Sequence, residues 1–133
     1  MSAILIRSAL EVALAAISPA LSTQYENTAF SPVPGTAYQR VYVLWNEPLN
    51  PEIGTFTQER GILQISLAYP LDTGPTAAAT RAELIRSTFV RGTSFTSGGV
   101  TVTIERTPEI APAQIEPDRY VVPVRVRFFA NRP

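Results

Sequence analysis

The stretch GILQISLAY, residues 61–69, decides the fold. Every second position from Leu63 onward is a large apolar residue, and Gln64 and Ser66 stand between them. A period of two places alternate side chains on opposite faces of a β-strand. The stretch therefore predicts a strand that presents one face to a hydrophobic core.

Three further stretches have the same period: Tyr38–Trp45, Val100–Glu105 and Tyr120–Phe129. The first of them and residues 61–69 are expected to form a wide hairpin. Trp45 is expected in the core, because its ring must hide a large area. Pro123 has no N–H, so one side of the last strand is expected to be a sheet edge.

Two stretches have helical spacing of apolar residues instead. The first holds Ile6, Leu10, Ala13, Leu14 and Ile17, and the second, Thr76–Phe89, holds Ala78, Ala82, Ile85 and Phe89. Arg7 and Glu11 interrupt the first stretch, which predicts neither an export signal nor a membrane span. The order of elements predicts one α+β domain over residues 1–133, with a largely antiparallel sheet of four to five strands and two helices packed on one face.

Two segments are predicted to be mobile. Residues 46–60 form a loop with two prolines and one glycine before the strand at residues 61–69, and residues 107–118 form a Pro-rich arm. The only large apolar residues of the arm are Ile110 and Ile115, so it cannot build a core of its own.

Composition excludes several classes of chemistry. The 133 residues contain no Cys and no His, which removes disulfides, thiolate and imidazole metal sites and every Ser-His-Asp triad. Eleven basic residues, all Arg, balance eleven acidic residues. A net charge of zero argues against tight binding of nucleic acid.

Carboxylates remain as the candidates for catalysis or for binding a divalent cation: Glu47, Glu52, Glu59, Glu105, Glu109, Glu116 and Asp118. Either chemistry needs several of them to converge in one cleft. The usual place of such acids is a solvated loop, so no catalytic residue, no metal site and no cofactor is predicted. Gly98-Gly99 is interpreted as a turn, since no Lys completes a phosphate-binding loop.

Several phrases together resemble the phage tail terminator family, typified by the minor tail protein U of lambda-like phages. The phrases, in order, are Tyr38-Gln39-Arg40-Val41, Glu47-Pro48 with Asn50-Pro51, Gly61-Ile62-Leu63-Gln64-Ile65, Tyr69-Pro70, Arg81-Ala82-Glu83, Gly92-Thr93, Gly98-Gly99-Val100-Thr101-Val102, Thr107-Pro108, Ile110-Ala111-Pro112, Asp118-Arg119-Tyr120 and Val122-Pro123-Val124. Their order and the chain length carry the resemblance, because none of them is a catalytic signature.

The resemblance implies a virion structural protein and not an enzyme. Its ring, commonly of six subunits, would cap the tail tube, end its polymerisation, let DNA through its lumen and meet the head-completion proteins. It would assemble in the host cytoplasm and lie in the neck region of the tail, with no membrane partner. Exposure and position suggest Glu47, Asn50 and Glu52 for contact with the major tail tube protein, and Arg60, Gln64, Arg125 and Arg127 for contact between subunits.

Three other interpretations stay open at this point. The chain could be another neck or tail-completion protein, since these share its length and element order. It could be a small enzyme that uses loop carboxylates with a metal. It could also be a monomeric module that binds a peptide along a sheet edge near Pro123.

Overall fold

The computed structural model describes residues 2–50, 53 and 57–132. Over these residues the chain forms two helices and eight strands. In chain order they are α1 (Ser2–Ala15), β1 (Thr23–Gln24), β2 (Tyr38–Trp45), β3 (Thr57–Pro70), α2 (Thr76–Thr88), β4 (Ser94–Ser97), β5 (Val100–Ile104), β6 (Glu109–Ile110), β7 (Gln114–Glu116) and β8 (Arg119–Arg132). The predicted α+β class is confirmed.

All eight strands belong to one sheet, whose order is β1-β2-β3-β8-β5-β4, with β6 and β7 also paired to β8. At its centre β3 and β8 are antiparallel and pair from Thr57 opposite Arg132 to Pro70 opposite Arg119. The sheet is mixed, because β1 runs parallel to β2. The predicted count of four to five strands was too low, since strands of two to four residues are too short to show a period in the sequence.

The core lies on one face of this sheet. Leu63, Ile65 and Leu67 of β3 stand directly opposite Val126, Val124 and Val122 of β8. Both helices contribute to the same cluster of buried residues, among them Ile6, Leu10 and Leu14 of α1 and Ala78, Ala82 and Ile85 of α2. The prediction that both helices cover one face is therefore confirmed. Neither described helix has the length and apolarity that crossing a bilayer requires.

The loop predicted at residues 46–60 is shorter than its stated bounds. Residues 57–60 belong to β3 and pair with β8. Pairing between β2 and β3 also continues into the predicted loop. The backbone N–H of Asn46 donates to the carbonyl of Arg60, and Leu49 and Gln58 form an isolated bridge. The polar composition of residues 57–60 hid this extension of the strand.

The Pro-rich arm, which the sequence predicts to be mobile, is paired with the sheet in this structure. Its strands β6 and β7 pair with β8, and the backbone N–H of Ala111 donates to the carbonyl of Pro123. The Arg86 guanidinium also donates two hydrogen bonds to the carbonyl of Pro108. The arm needs no core of its own because its backbone pairs with the side of β8 that faces away from β3.

Pro123 does not mark a sheet edge, so that prediction was also wrong. It stands opposite Ser66 of β3, inside the central ladder. Its carbonyl faces the arm, and the N–H that a proline lacks would face the same way. The pairing of the arm with β8 is interrupted at this point, between the end of β6 at Ile110 and the start of β7 at Gln114. A residue that cannot donate a ladder hydrogen bond is tolerated at such an interruption.

The aromatic residues at two element ends differ in burial. Phe89, just after α2, is fully buried, as predicted, and its ring centroid lies 5.4 Å from that of Phe95. Trp45 is 40% exposed, so its predicted place in the core was wrong. Its ring meets the ring of Phe128 edge to face at 5.8 Å and covers that core residue from the end of β2.

The burial of Phe89 generates a stability prediction. Phe89→Ala should lower the free energy of unfolding by about 3–5 kcal/mol, because it leaves a ring-sized cavity against Phe95. The half-exposed neighbour offers a matched control, Val90→Ala, with an expected change within about 0.5 kcal/mol. Urea denaturation measures both, and a Phe89→Ala cost below about 1 kcal/mol would contradict this packing.

Candidate functional site

The face of the sheet opposite the helices carries a row of polar side chains. Tyr42, Gln64 and Arg125 stand side by side on β2, β3 and β8. Gln64 Nε2 donates to the Tyr42 hydroxyl at 2.5 Å, and Arg125 Nε donates to Gln64 Oε1 at 3.3 Å. These residues form the floor of a groove of about 570 Å³, which we call the open groove.

Ion pairs extend this row across the outer strands. Glu109 of β6 lies 3.6 Å from Arg125 Nη1 and 3.3 Å from Arg127 Nη1. On the other side of the groove Arg40 Nη2 lies 2.9 Å from a carboxylate oxygen of Glu116. Burial alone would lower the pKa of Arg40, but its hydrogen bond to Glu116 and the charge of that carboxylate raise the pKa above its usual value. The groove therefore presents fixed charges of both signs.

The structure brings all four predicted subunit-contact residues onto this face. The alternation along β3 and β8 places their side chains on the face of the sheet away from the helices. These residues are Arg60, Gln64, Arg125 and Arg127. Arg60 Nη2 lies 3.6 Å from Glu105 beyond the end of β5. Their contact with a neighbouring subunit remains a prediction.

Four of the carboxylates that the sequence offered for catalysis face arginines. Glu105 pairs with Arg60, and Glu116 pairs with Arg40. Glu109 pairs with both Arg125 and Arg127. Asp118 lies 4.0 Å from Arg119 Nε. Within residues 2–50, 53 and 57–132, no three acidic side chains come together in a way that could hold a metal ion. In this arrangement the acids build ion pairs across strands.

The loop after β2 carries the predicted tube-contact residues. Glu47 and Asn50 are exposed there, and Glu52 lies outside the described residues. Their apolar neighbours were not predicted as contact residues, although Leu49 is 45% exposed and Ile53 is fully exposed. Large apolar residues beside the prolines and glycine of a loop were the signal that could have found them. We call this region, residues 46–50 with Ile53, the loop end of the sheet.

At the opposite end of the sheet, Arg119 is buried and holds down the connection before β2. Its guanidinium donates to the backbone carbonyls of Thr36 and Val33 and lies 5.0 Å above the Tyr38 ring. The ring of Phe30 packs against the Tyr38 ring, and the two ring centroids lie 5.3 Å apart. This part of the helix-free face is covered by the chain itself, which confines the open groove to the middle of the sheet.

Glu26 caps the free edge of β2 beside the groove. One of its carboxylate oxygens accepts the backbone N–H of Val43 at 3.1 Å and a hydrogen bond from Arg7 of α1 at 2.9 Å. The bonds from Arg7 and Val43 lower the pKa of Glu26 below 4.5. Burial raises the pKa of Glu11, which lies 4.0 Å from the same arginine.

Comparison with known proteins gives a family and a fold. A family model described as phage tail terminator protein matches residues 5–128. One solved structure, of a protein without a descriptive name, is 25% identical, with a TM-score of 0.81 over 100% of this chain and 97% of that one. No curated protein matches the chain.

The contrast between Glu26 and Glu11 predicts two opposite pH effects. The lowered pKa of Glu26 means that its carboxylate stabilises the fold above about pH 4.5, and this contribution is lost as the pH falls through the folded pKa. Glu26→Gln should therefore destabilise the protein at pH 7, and this effect should shrink as the pH falls through the folded pKa. The raised pKa of Glu11 reverses the sign: its contribution is present at low pH and lost as the pH rises, so Glu11→Gln should stabilise the protein at pH 7.

Urea midpoints of the three proteins, measured at pH 7 and at successively lower pH, test these effects. A Glu26→Gln protein as stable as the natural one at pH 7 would show that the edge cap contributes nothing.

Proposed function

Since the chain belongs to the phage tail terminator family, we propose that it closes into a ring on the last disc of a tail tube and ends polymerisation of that tube. A structural role in the phage tail follows from the family itself. In this proposal the ring has six subunits, passes DNA through its lumen and offers its far side to a head-completion protein. It assembles in the host cytoplasm and becomes part of the neck region of the virion.

The open groove is the observation that carries the proposal. A ring needs two different surfaces on each subunit, one for each neighbour. The helices fill one face of the sheet, whereas the groove leaves Tyr42, Gln64 and Arg125 for another molecule. A neighbouring subunit is the proposed occupant.

The outer side of α1 is the proposed second surface. Ile4 and Val12 are 68% and 66% exposed there, beside the charged side chains of Arg7 and Glu11. Apolar residues between charges of both signs match a groove that also carries both signs. Contact of α1 with the next groove makes the interface head to tail, as a closed ring requires.

The loop end is the proposed contact with the tube. Exposed Leu49 and Ile53 supply apolar anchors, and Glu47 and Asn50 supply a polar rim around them. The buried Arg119 lies at the opposite end of β3 and β8, which leaves that end for the head-completion protein. The two partners then bind opposite sides of one ring.

The first test of this proposal addresses the ring. The double variant Arg125→Ala, Arg127→Ala should change the free energy of unfolding by no more than about 1 kcal/mol, since surface ion pairs contribute little to stability. It should reduce the fraction of tube ends that carry a ring at least about tenfold, because these side chains line the subunit contact. Negative-stain images of purified protein mixed with tail tubes give that fraction.

The matched control for the ring is Glu83→Ala on the exposed side of α2, which removes one surface ion pair far from the groove. It should leave ring formation unchanged. Normal rings from the double arginine variant would rule out the groove as the subunit contact.

The second test addresses the tube. Leu49→Asp with Ile53→Asp should leave rings intact between subunits but reduce their affinity for tube ends at least about tenfold, because buried apolar anchors carry much of the energy of an interface. Co-sedimentation with tubes measures the affinity. Val33→Asp is the control, since Val33 is 62% exposed and lies near Arg119 at the other end of the sheet. Equal loss of affinity in the control would place the tube elsewhere.

A further inference from the structure

A groove runs between α1 and the last strand of the sheet, β4. Its volume is about 570 Å³, and none of the residues that line it is charged. The side chain of Val12 and both Ser94 and Thr96 are exposed there, so the groove is open to solvent. We call it the edge groove. Its lining residues are Ala9, Val12, Ala13, Ala16, Thr88 and the four residues of β4.

The free edge of β4 faces away from β5. The backbone N–H of Ile104 donates to the carbonyl of Thr93, which fixes the side on which β5 bonds. The direction of the backbone hydrogen bonds alternates along an antiparallel pair. Phe95 therefore bonds to β5 as Thr93 does, and the N–H and C=O groups of Ser94 and Thr96 point away from it. Among the described residues β4 is the terminal strand of the sheet, so an added strand can reach these groups.

β4 lacks the features that usually prevent the addition of a strand. Residues 94–97 contain no charged residue and no proline, and they pair with β5 one to one, without a bulge. The hydroxyls of its two exposed residues bond to threonines of β5 and leave the edge clear. At the other end of the sheet, by contrast, the carboxylate of Glu26 occupies the N–H of Val43. The edge of β4 is thus a template for a further strand.

The chain itself carries a segment that fits this template. Ile115, in the middle of β7, is 80% exposed, and residues 113–115 carry no charge. The N–H of Ala111 donates to the carbonyl of Pro123, so every second residue of β8 counted from Pro123 bonds to the arm. In that alternation the two neighbours of Ile115 bond to β8, and its own N–H and C=O point away. Pairing with β8 already holds the segment extended, which lowers the entropy cost of binding.

We propose that the edge groove of one copy of this chain binds β7 of a second copy as an added parallel strand. Phe95 stands opposite the buried Val102, and Ile115 stands opposite Tyr120, which packs against the core. Both side chains therefore lie on the helix side of their sheets. Parallel pairing places Ile115 opposite Phe95, inside the groove. Antiparallel pairing would place it opposite a neighbour of Phe95 and turn its side chain to the other face.

The contact matches in hydrogen bonds and in charge. The N–H of Ile115 donates to the carbonyl of Ser94, and the N–H of Thr96 donates to the carbonyl of Ile115. An uncharged side chain enters an uncharged groove, so no charge is buried without a partner. Neither Ile115 nor β4 lines the open groove, so the failure of either proposal leaves the other standing.

Hydrogen exchange at the Thr96 amide reports this contact alone. Exchange of this amide in the full-length ¹⁵N-labelled protein should slow at least about tenfold as the protein concentration rises, because the added strand covers it. The Phe95 amide already bonds to β5, so its exchange should not change. Exchange at Thr96 that is independent of concentration would overturn the proposal.

Two variants each disable one half of the contact. Ile115→Asp brings a charge to the uncharged groove, and Thr96→Pro removes the outward N–H. The labelled Ile115→Asp protein should lose the concentration dependence at its Thr96 amide. Unlabelled Thr96→Pro protein keeps an intact segment, so adding it should slow that amide again. A mixture that behaves like Ile115→Asp alone would contradict the pairing of these two segments.

Matched controls separate the contact from general effects of the substitutions. Thr96→Val loses the same hydroxyl as Thr96→Pro but keeps the N–H, so its amide should behave as in the natural protein. Val33→Asp adds a charge at a different exposed apolar position and should also leave the exchange at Thr96 unchanged. If Thr96→Pro fails to fold, Ala16→Leu fills the groove from the side of α1 and should abolish the concentration dependence. Unchanged association of Ala16→Leu would then count against the groove.

Discussion

The antiparallel ladder between β3 and β8 is the constraint on which the rest of the structure depends. It joins residues 57–70 to residues 119–132 without interruption. One side of the pair supplies Leu63, Ile65 and their partners to the core, and both helices pack there. β2 attaches to one edge of the pair, and β5, β6 and β7 attach to the other. Each later element therefore finds its place from the register of these two strands.

The sequence predicted the parts of the fold that repeat a period over many residues. β2 has the predicted bounds, α2 ends one residue earlier, and the Gly98-Gly99 turn joins β4 to β5 with positive φ at both glycines. The extension of β3 and the two strands of the arm were missed, because their pairing depends on the exposed backbone of a distant strand and not on their own side chains.

The candidate site residues also differ in whether a sequence period could predict their position. Alternation alone placed Gln64, Arg125 and Arg127 on one face, and the structure agrees. No period could show that Val12 and Phe95 line one groove, since they come from a helix and a strand far apart in the chain. Trp45 shows the converse error: a side chain that usually belongs in a core covers Phe128 from outside.

The length of the central pair sets the height of the subunit. The thirteen steps between fourteen paired residues, at about 3.4 Å each, separate the loop end from the Arg119 end by about 44 Å. Adding two residues to each strand would lengthen this spacer by about 7 Å and keep every side chain on its side of the sheet. Adding one would turn all later side chains over unless a bulge absorbed it. The thickness of such a protein can therefore change in two-residue increments while its core stays intact.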